Sequence, residues 1–178
     1  MGRELNNQQI QITALPVLAK FAALEGRYPE ARRLYRKTLA LARERGAPIV
    51  DLWYRGELAV AELRLGNAGQ ARQDLCAVLR LAASKSMGTW PMVLLLPVAE
   101  YLASTGRPER AVEIHALAWR YPFIANSRWQ QDVFGKRMAA VAASLPPEVV
   151  VAAEERGRAL NLQTTVEELL EELERTTT

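Results

Sequence analysis

Apolar residues in this chain recur at intervals of three and four, in blocks that repeat. Leu15, Leu18, Ala19 and Ala22 form one stripe; Trp53, Leu58, Ala59 and Leu63 form a second; Leu95, Val98, Ala99 and Leu102 form a third. Each is the one-sided stripe of an amphipathic helix. Each is followed by another: Ala31, Leu34, Tyr35, Leu39 and Ala42; then Ala71, Leu75, Val78, Leu79 and Ala82; then Ala111, Ile114, His115, Ala118 and Trp119. Gly26, Gly66 and Gly106 separate the paired stripes at a spacing of forty residues. Such a glycine ends a helix, because it takes the left-handed conformation that a C-terminal cap requires. Pro29 and Pro108 follow in the first turn of the next helix, where a missing amide hydrogen is tolerated.

Small residues keep the same register. Ala19, Ala59 and Ala99 each stand seven residues before a glycine, and Ala31, Ala71 and Ala111 five after it. A fixed period of this length predicts an array of helical hairpins, each burying its apolar face only against its neighbours. Residues 1–8 are then expected as an N-terminal tail, 9–122 as three repeats, and 123–175 as capping helices. Gly46-Ala47-Pro48 and Met87-Gly88-Thr89 punctuate the units, with Thr89 as an N-cap. Breakers fall at a similar depth in each first helix: Pro16, Gly56 and Pro97. Pro16 is placed near the start of its helix. Pro97 is placed inside one, where a kink is expected.

Past Trp119 the register changes. Asn126 or Ser127 caps a helix carrying Trp129, Val133, Phe134, Met138, Val141 and Ala142. Pro146 and Pro147 open a short helix expected to end near Gly157. Thr164 or Thr165 caps a last one bearing Val166, Leu169, Leu170 and Leu173. A divergent end is what an array needs, since its terminal apolar face must be closed.

The small residue in mid-helix, the glycine at the turn and the alanine five residues on resemble the tetratricopeptide (TPR) repeat. Tyr35, Leu75 and His115 occupy the large position four residues further. The early aromatic of that motif is replaced by Leu15, Arg55 and Leu95, and the period is 40 rather than 34. The resemblance implies an all-α, right-handed superhelical array of TPR-like hairpins with a C-terminal helical cap. From Arg120 to Leu173 the chain also resembles the C-terminal sensor region of bacterial STAND-type ATPases and related transcriptional regulators. Glu155-Arg156-Gly157-Arg158-Ala159-Leu160 and the acidic helix from Val166 to Leu173 carry that likeness. Neither a phosphate-binding Gly-rich loop with Lys-Ser/Thr nor a DNA-reading helix-turn-helix accompanies it. The chain is accordingly expected to be an excised sensor region or a small relative that kept only that part.

Composition narrows the chemistry. With 178 residues and 49% hydrophobic content, the chain can bury a sizeable core. Its apolar runs are short or broken, so no membrane span is expected, and the N-terminus has no apolar export signal. Cys76 is the only cysteine and falls on an apolar stripe, which reads as a buried core position in a reducing cytoplasm. His115 is the only histidine, which excludes His-pair zinc motifs. It sits at a packing position, where a core ring with one satisfied nitrogen is expected rather than a base for a nucleophile. Paired glutamates such as Glu167-Glu168 diverge by about 100° on a helix and decorate a polar face. No catalytic, cofactor or metal site is therefore expected.

The net charge of +3 conceals an asymmetry: 20 Lys/Arg against 12 Asp/Glu in residues 1–147, then 3 against 8. An acidic tail can dock on a basic body in cis or between copies, or both can be ordinary solvated faces. Arg32, Arg36 and Arg43 share one helix side, a candidate phosphate contact. No aromatics interleave for base stacking, so nucleic acid is an unfavoured partner.

In TPR arrays the first helices line a concave groove. The residues matching groove positions are Lys20 and Leu24, then Trp53, Val60 and Arg64, then Leu96, Glu100 and Ser104. The resemblance thus implies a non-enzymatic protein-interaction or sensor module of a cytoplasmic bacterial regulator. It would bind a peptide or protein, among them the ATPase or effector part of a larger regulator. A small-molecule inducer sensor and a homo-oligomerising scaffold are the alternatives. Trp53 is equally readable as core.

Overall fold

The computed structural model describes residues 2–84 and 88–175, with side chains from Ile10 onward. Met87, expected in an inter-repeat turn, lies outside the described residues. The protein is all-α, with no strand among the described residues. Its chain divides into two compact units, residues 1–74 and 75–178. The division falls inside a helix.

In the first unit, α1 (Gly2–Leu24) packs on α2 (Tyr28–Glu44), and α2 packs on α3 (Pro48–Arg64). Residues 2–8, expected as a tail, belong to α1. Helix α4 (Ala68–Ser84) carries the chain from one unit to the next. Helices α2, α3 and α4 are each 17 residues long, with three-residue linkers between them.

The glycine turns explain that regularity. Gly26, Gly66 and Gly106 have φ of 74°, 79° and 79°, in the left-handed region. At each, the amide one residue on reaches back five residues: Arg27 N–H to the Ala22 carbonyl at 2.8 Å, Asn67 to Glu62 at 2.9 Å, Arg107 to Leu102 at 2.9 Å. This is the Schellman closure of a helix end. Gly46 closes α2 in the same way, with Ala47 N–H on the Ala42 carbonyl at 2.9 Å. The three glycines of the forty-residue period thus occupy equivalent bends.

Packing follows the same register. Ala19, Ala31, Ala59, Ala71, Ala99 and Ala111 are all at 0% exposure, so every alanine picked out by spacing is wholly enclosed. A methyl side chain at such a point lets two helix backbones approach closely. Larger residues fill the space on either side: Leu34, Tyr35, Leu39 and Leu58 in the first unit. Cys76 is buried, as its stripe position implied.

The second unit opens with a 3₁₀ turn (Trp90–Leu94) that runs directly into α5 (Leu95–Ser104), which pairs with α6 (Pro108–Trp119). Pro97 therefore lies in the first turn of α5, just after the 3₁₀ turn. A proline ring clashes with the carbonyl four residues back, here Val93, and the tighter 3₁₀ winding holds that segment. Pro16, by contrast, lies well inside α1. Thr89 makes no side-chain cap bond.

The remaining elements are α7 (Pro122–Ala125), α8 (Arg128–Gln130), a π turn (Gln131–Gly135), α9 (Lys136–Ala143), α10 (Pro147–Ala159) and α11 (Leu162–Arg175). Ser127 caps α8, its Oγ accepting from Gln130 N–H at 3.3 Å. The cap of α11 is Asn161 rather than Thr164 or Thr165: its Oδ1 accepts from Thr164 N–H at 3.1 Å, and Thr165 is buried. Helix α10 continues two residues past Gly157, because that glycine is a packing contact and not a terminator. A Cβ there would collide with the Glu113 carbonyl oxygen and lie 2.8 Å from the Ala116 methyl. Helices α10 and α6 thus meet backbone to backbone.

Three substitutions check these roles. Gly66→Ala forces a β-carbon into a left-handed bend and is expected to lower unfolding free energy by about 1–2 kcal/mol in urea melts. Gly69→Ala, in the first turn of α4 with open space around it, is expected to be neutral or stabilising by up to about 1 kcal/mol. Gly157→Ala overpacks a backbone contact and is expected to cost about 2–3 kcal/mol, releasing α10 from α6 as faster amide exchange in both helices.

Candidate functional site

The first unit gathers an aromatic and charged cluster where α1 and α3 supply side chains. Lys20 Nζ lies over the Trp53 ring, 5.7 Å from its centroid, and 3.8 Å from Glu57 Oε1. Trp53 stacks on Tyr54 at 6.2 Å, and Tyr54 on Tyr35 at 6.3 Å. Trp53 and Lys20 are half-buried, while Glu57 and Tyr35 are buried behind them. Burial pushes the Glu57 carboxyl above its ordinary range, with Lys20 opposing the shift. Burial also raises the Tyr35 and Tyr54 hydroxyls, with Glu57 adding to both. The arrangement is a cation held on an indole face in front of a desolvated carboxyl. Cation–π contact and Coulomb attraction both fix the ammonium, each worth about 1 kcal/mol at a partly exposed position.

Among the eight residues expected in the groove, the structure joins Lys20 directly to Trp53. In the same unit Val60 is buried, Arg64 half-buried and Leu24 exposed. In the second unit Leu96 and Glu100 are at 1% and 0% exposure, so neither presents a surface to a ligand. The reason is the C-terminal segment. Arg137 of α9 places its Nε 2.6 Å from Glu100 Oε2, and its Nη2 donates to Ser104 Oγ at 3.4 Å. Ser104 alone of those three is exposed.

The basic side of α2 is engaged by carboxylates of α3. Arg36 Nη2 donates to Glu62 Oε1 at 2.8 Å, Arg32 lies 3.6 Å from Glu62 Oε2, and Arg43 lies 4.0 Å from Asp51. Glu62 is fully buried and also accepts from Asn67 Nδ2 at 2.8 Å. Arg55 is buried between Asp51 and Asp74, at 2.6 and 3.3 Å. Spacing placed Arg55 at an aromatic position; its charge is accommodated because both partners project to it. These contacts engage the arginine stripe in ion pairs between α2 and α3.

The acidic tail is likewise used in cis within the second unit. Glu172 of α11 takes Arg107 at 2.9 Å and Arg110 at 3.4 Å, Glu168 lies 3.7 Å from Arg110, and Glu174 takes Arg80 at 2.6 Å. Arg156 of the ERGRAL-like element reaches Glu109 at 2.6 Å and Glu113 at 3.8 Å. Arg120 donates to the Leu160 carbonyl at 2.7 Å. That element is a docking strip for the cap. Beneath the ion pairs, Val166, Leu169 and Leu173 are at 0% exposure.

His115 packs at a tilt of 31° on Trp119, ring centroids 4.3 Å apart, at a cleft of about 310 Å³ lined also by Arg120, Glu154 and Arg158. Its Nε2 is buried without a hydrogen-bond partner. Burial pulls its pKa down to about 4, with Glu154 opposing. The ring is a neutral packing group at physiological pH. Among the described residues no His/Cys/Asp/Glu cluster suits a metal, and no helix is long and apolar enough to cross a membrane.

The chain matches no family model, no curated protein and no solved structure.

The His115 environment generates a pH prediction. The folded pKa lies below the unfolded value of 6.5, so the group's stabilising effect is complete above pH 6.5 and lost as pH falls toward 4. Its full size is on the order of 3 kcal/mol. His115→Phe keeps an aromatic ring on Trp119 and removes the titration. Urea melts at pH 7 and pH 4.5 are expected to differ less for the variant than for the parent, by about 2 kcal/mol.

Proposed function

We propose that this protein is a non-enzymatic interaction module. In this reading its hairpins form a right-handed, TPR-like superhelical array, and a peptide or protein partner docks over Lys20 and Trp53. The observation that carries the reading is the half-buried indole with an ammonium held on its face, backed by buried Glu57. Tryptophan in a pre-formed setting of this kind is the side chain most often found to dominate a binding interface. The hairpin register supports the array: three equivalent glycine bends and six enclosed alanines. A sensor role in a cytoplasmic bacterial regulator of the STAND type is the wider setting we assign, on the likeness carried by residues 120–173.

The accessible groove set in this reading is Lys20, Leu24, Trp53 and Arg64, all in the first unit; Leu96 and Glu100 serve packing. The partner chemistry that fits is an extended or helical segment bearing an apolar side chain for Trp53 and a carboxylate within reach of Lys20 and Arg64. No reactive centre is part of the proposal. His115, the only histidine, is neutral and packed on Trp119.

The test is affinity capture with the full chain, comparing parent, Trp53→Ala and the double variant Lys20→Glu/Arg64→Glu. Proteins enriched by the parent are expected to fall at least about tenfold with either variant while helicity by circular dichroism holds. Equal enrichment by all three chains would remove this surface from consideration.

A further inference from the structure

The outer face of α1 has an unusual composition. Ile10, Val17, Leu18, Phe21 and Leu24 are 59%, 51%, 54%, 56% and 54% exposed, and Ala14 is exposed among them. The only charged residue from Ile10 to Leu24 is Lys20, and it is turned to Trp53 and Glu57. The opposite side of the helix is also apolar, with Ile12, Ala19 and Ala22 buried in the first unit. A helix apolar on both sides belongs inside a structure, not on its rim. Five large side chains half out of water leave roughly 500 Å² of apolar surface, the size of patch that marks an interaction site.

The order of side chains along that face specifies its own complement. Ile10, Ala14, Val17, Phe21 and Leu24 are spaced four, three, four and three, the interval of a coiled-coil seam. Size runs from small to large between Ala14 and Leu24. Turning a second α1 antiparallel places Ala14 against Leu24 of the second copy and Val17 against Phe21 of the second copy. Both pairings then repeat by symmetry, giving four layers of one small and one large residue. A face without charge also opposes its twin without repulsion. Two copies would cover roughly 1,000 Å² of apolar side-chain surface, and the flanking polar residues would bring each partner toward the roughly 800 Å² typical of a stable complex.

We infer that α1 is a homodimer contact, in which the uncharged seam from Ile10 to Leu24 packs antiparallel on the same seam of a second copy. The contact is isologous and closes on itself, so it yields a dimer and not a filament. It does not use the acidic tail, which is engaged in cis; Lys20 and Trp53 flank the seam, and Leu24 is shared with the groove set proposed above.

Sedimentation equilibrium on the full chain tests this, with Val17→Glu and Phe21→Lys made separately. Both positions are exposed, so helicity is expected to be unchanged. The parent is expected at twice its 19.9 kDa mass. Each variant alone is expected to weaken self-association at least about 100-fold, and an equimolar mixture of the two to recover to within about tenfold of the parent. In that mixture the introduced carboxylate of one chain meets the introduced ammonium of the other in one layer, while Val17 and Phe21 still pair in the second. A parent that remains a monomer up to about 0.1 mM overturns the inference whatever the variants do. So does a variant that still dimerises, which would move the contact elsewhere, or a mixture that fails to recover.

Discussion

Close approach of helix backbones is the constraint on which this architecture depends. Two helices can approach closely only where the side chain between them is a methyl group or a hydrogen. The chain supplies such residues at Ala19, Ala31, Ala59, Ala71, Ala99 and Ala111, all fully enclosed, and at Gly157 against the Glu113 carbonyl. The left-handed glycines between helices set where each rod ends and so keep those contact points in phase. A larger residue at a contact, or a β-carbon at a bend, displaces a helix from the partner it was cut to fit.

Charge is then added where the contacts permit it. Glu62, Arg55 and Glu100 are buried, yet each meets an opposite charge from a neighbouring helix: Arg36, Asp74 and Arg137 respectively. Isolated, each would carry a desolvation penalty of several kcal/mol; paired, they act mainly to fix which helix faces meet. The acidic α11 follows the same logic, with Glu168 and Glu172 outside and Val166, Leu169 and Leu173 beneath. The excess of negative charge at the end of the chain is thereby absorbed by its own second unit. The half-buried Trp53 under Lys20 and the outer seam of α1 are apolar or aromatic surfaces that remain accessible in the first unit.

The paired helices, their order and their glycine bends are legible in the sequence, whereas the short α7, the 3₁₀ turn and the π turn are not. Spacing of three and four locates the paired stripes, and the forty-residue interval locates the bends at Gly26, Gly66 and Gly106. The division at residue 74 is not legible, because α4 is an uninterrupted amphipathic helix there. Asn161 escapes notice as a cap because the threonines three and four residues later offer the same chemistry. Pro97 lies inside a helix as its place in an apolar stripe implies, but in the first turn of α5, behind a 3₁₀ turn that spacing does not announce.

The candidate site divides along the same line. The resemblance to TPR repeats singles out Lys20, Trp53 and Glu100 as groove positions on first helices, because it rests on a register that repeats along the chain. Only tertiary contact separates their fates. Arg137 comes from a helix 37 positions further along the chain and closes over Glu100, while Lys20 keeps its place on an indole that solvent still reaches. Pattern registers which side of a helix is apolar or charged. Which of those sides is covered depends on segments distant in the chain, whose approach no local period encodes.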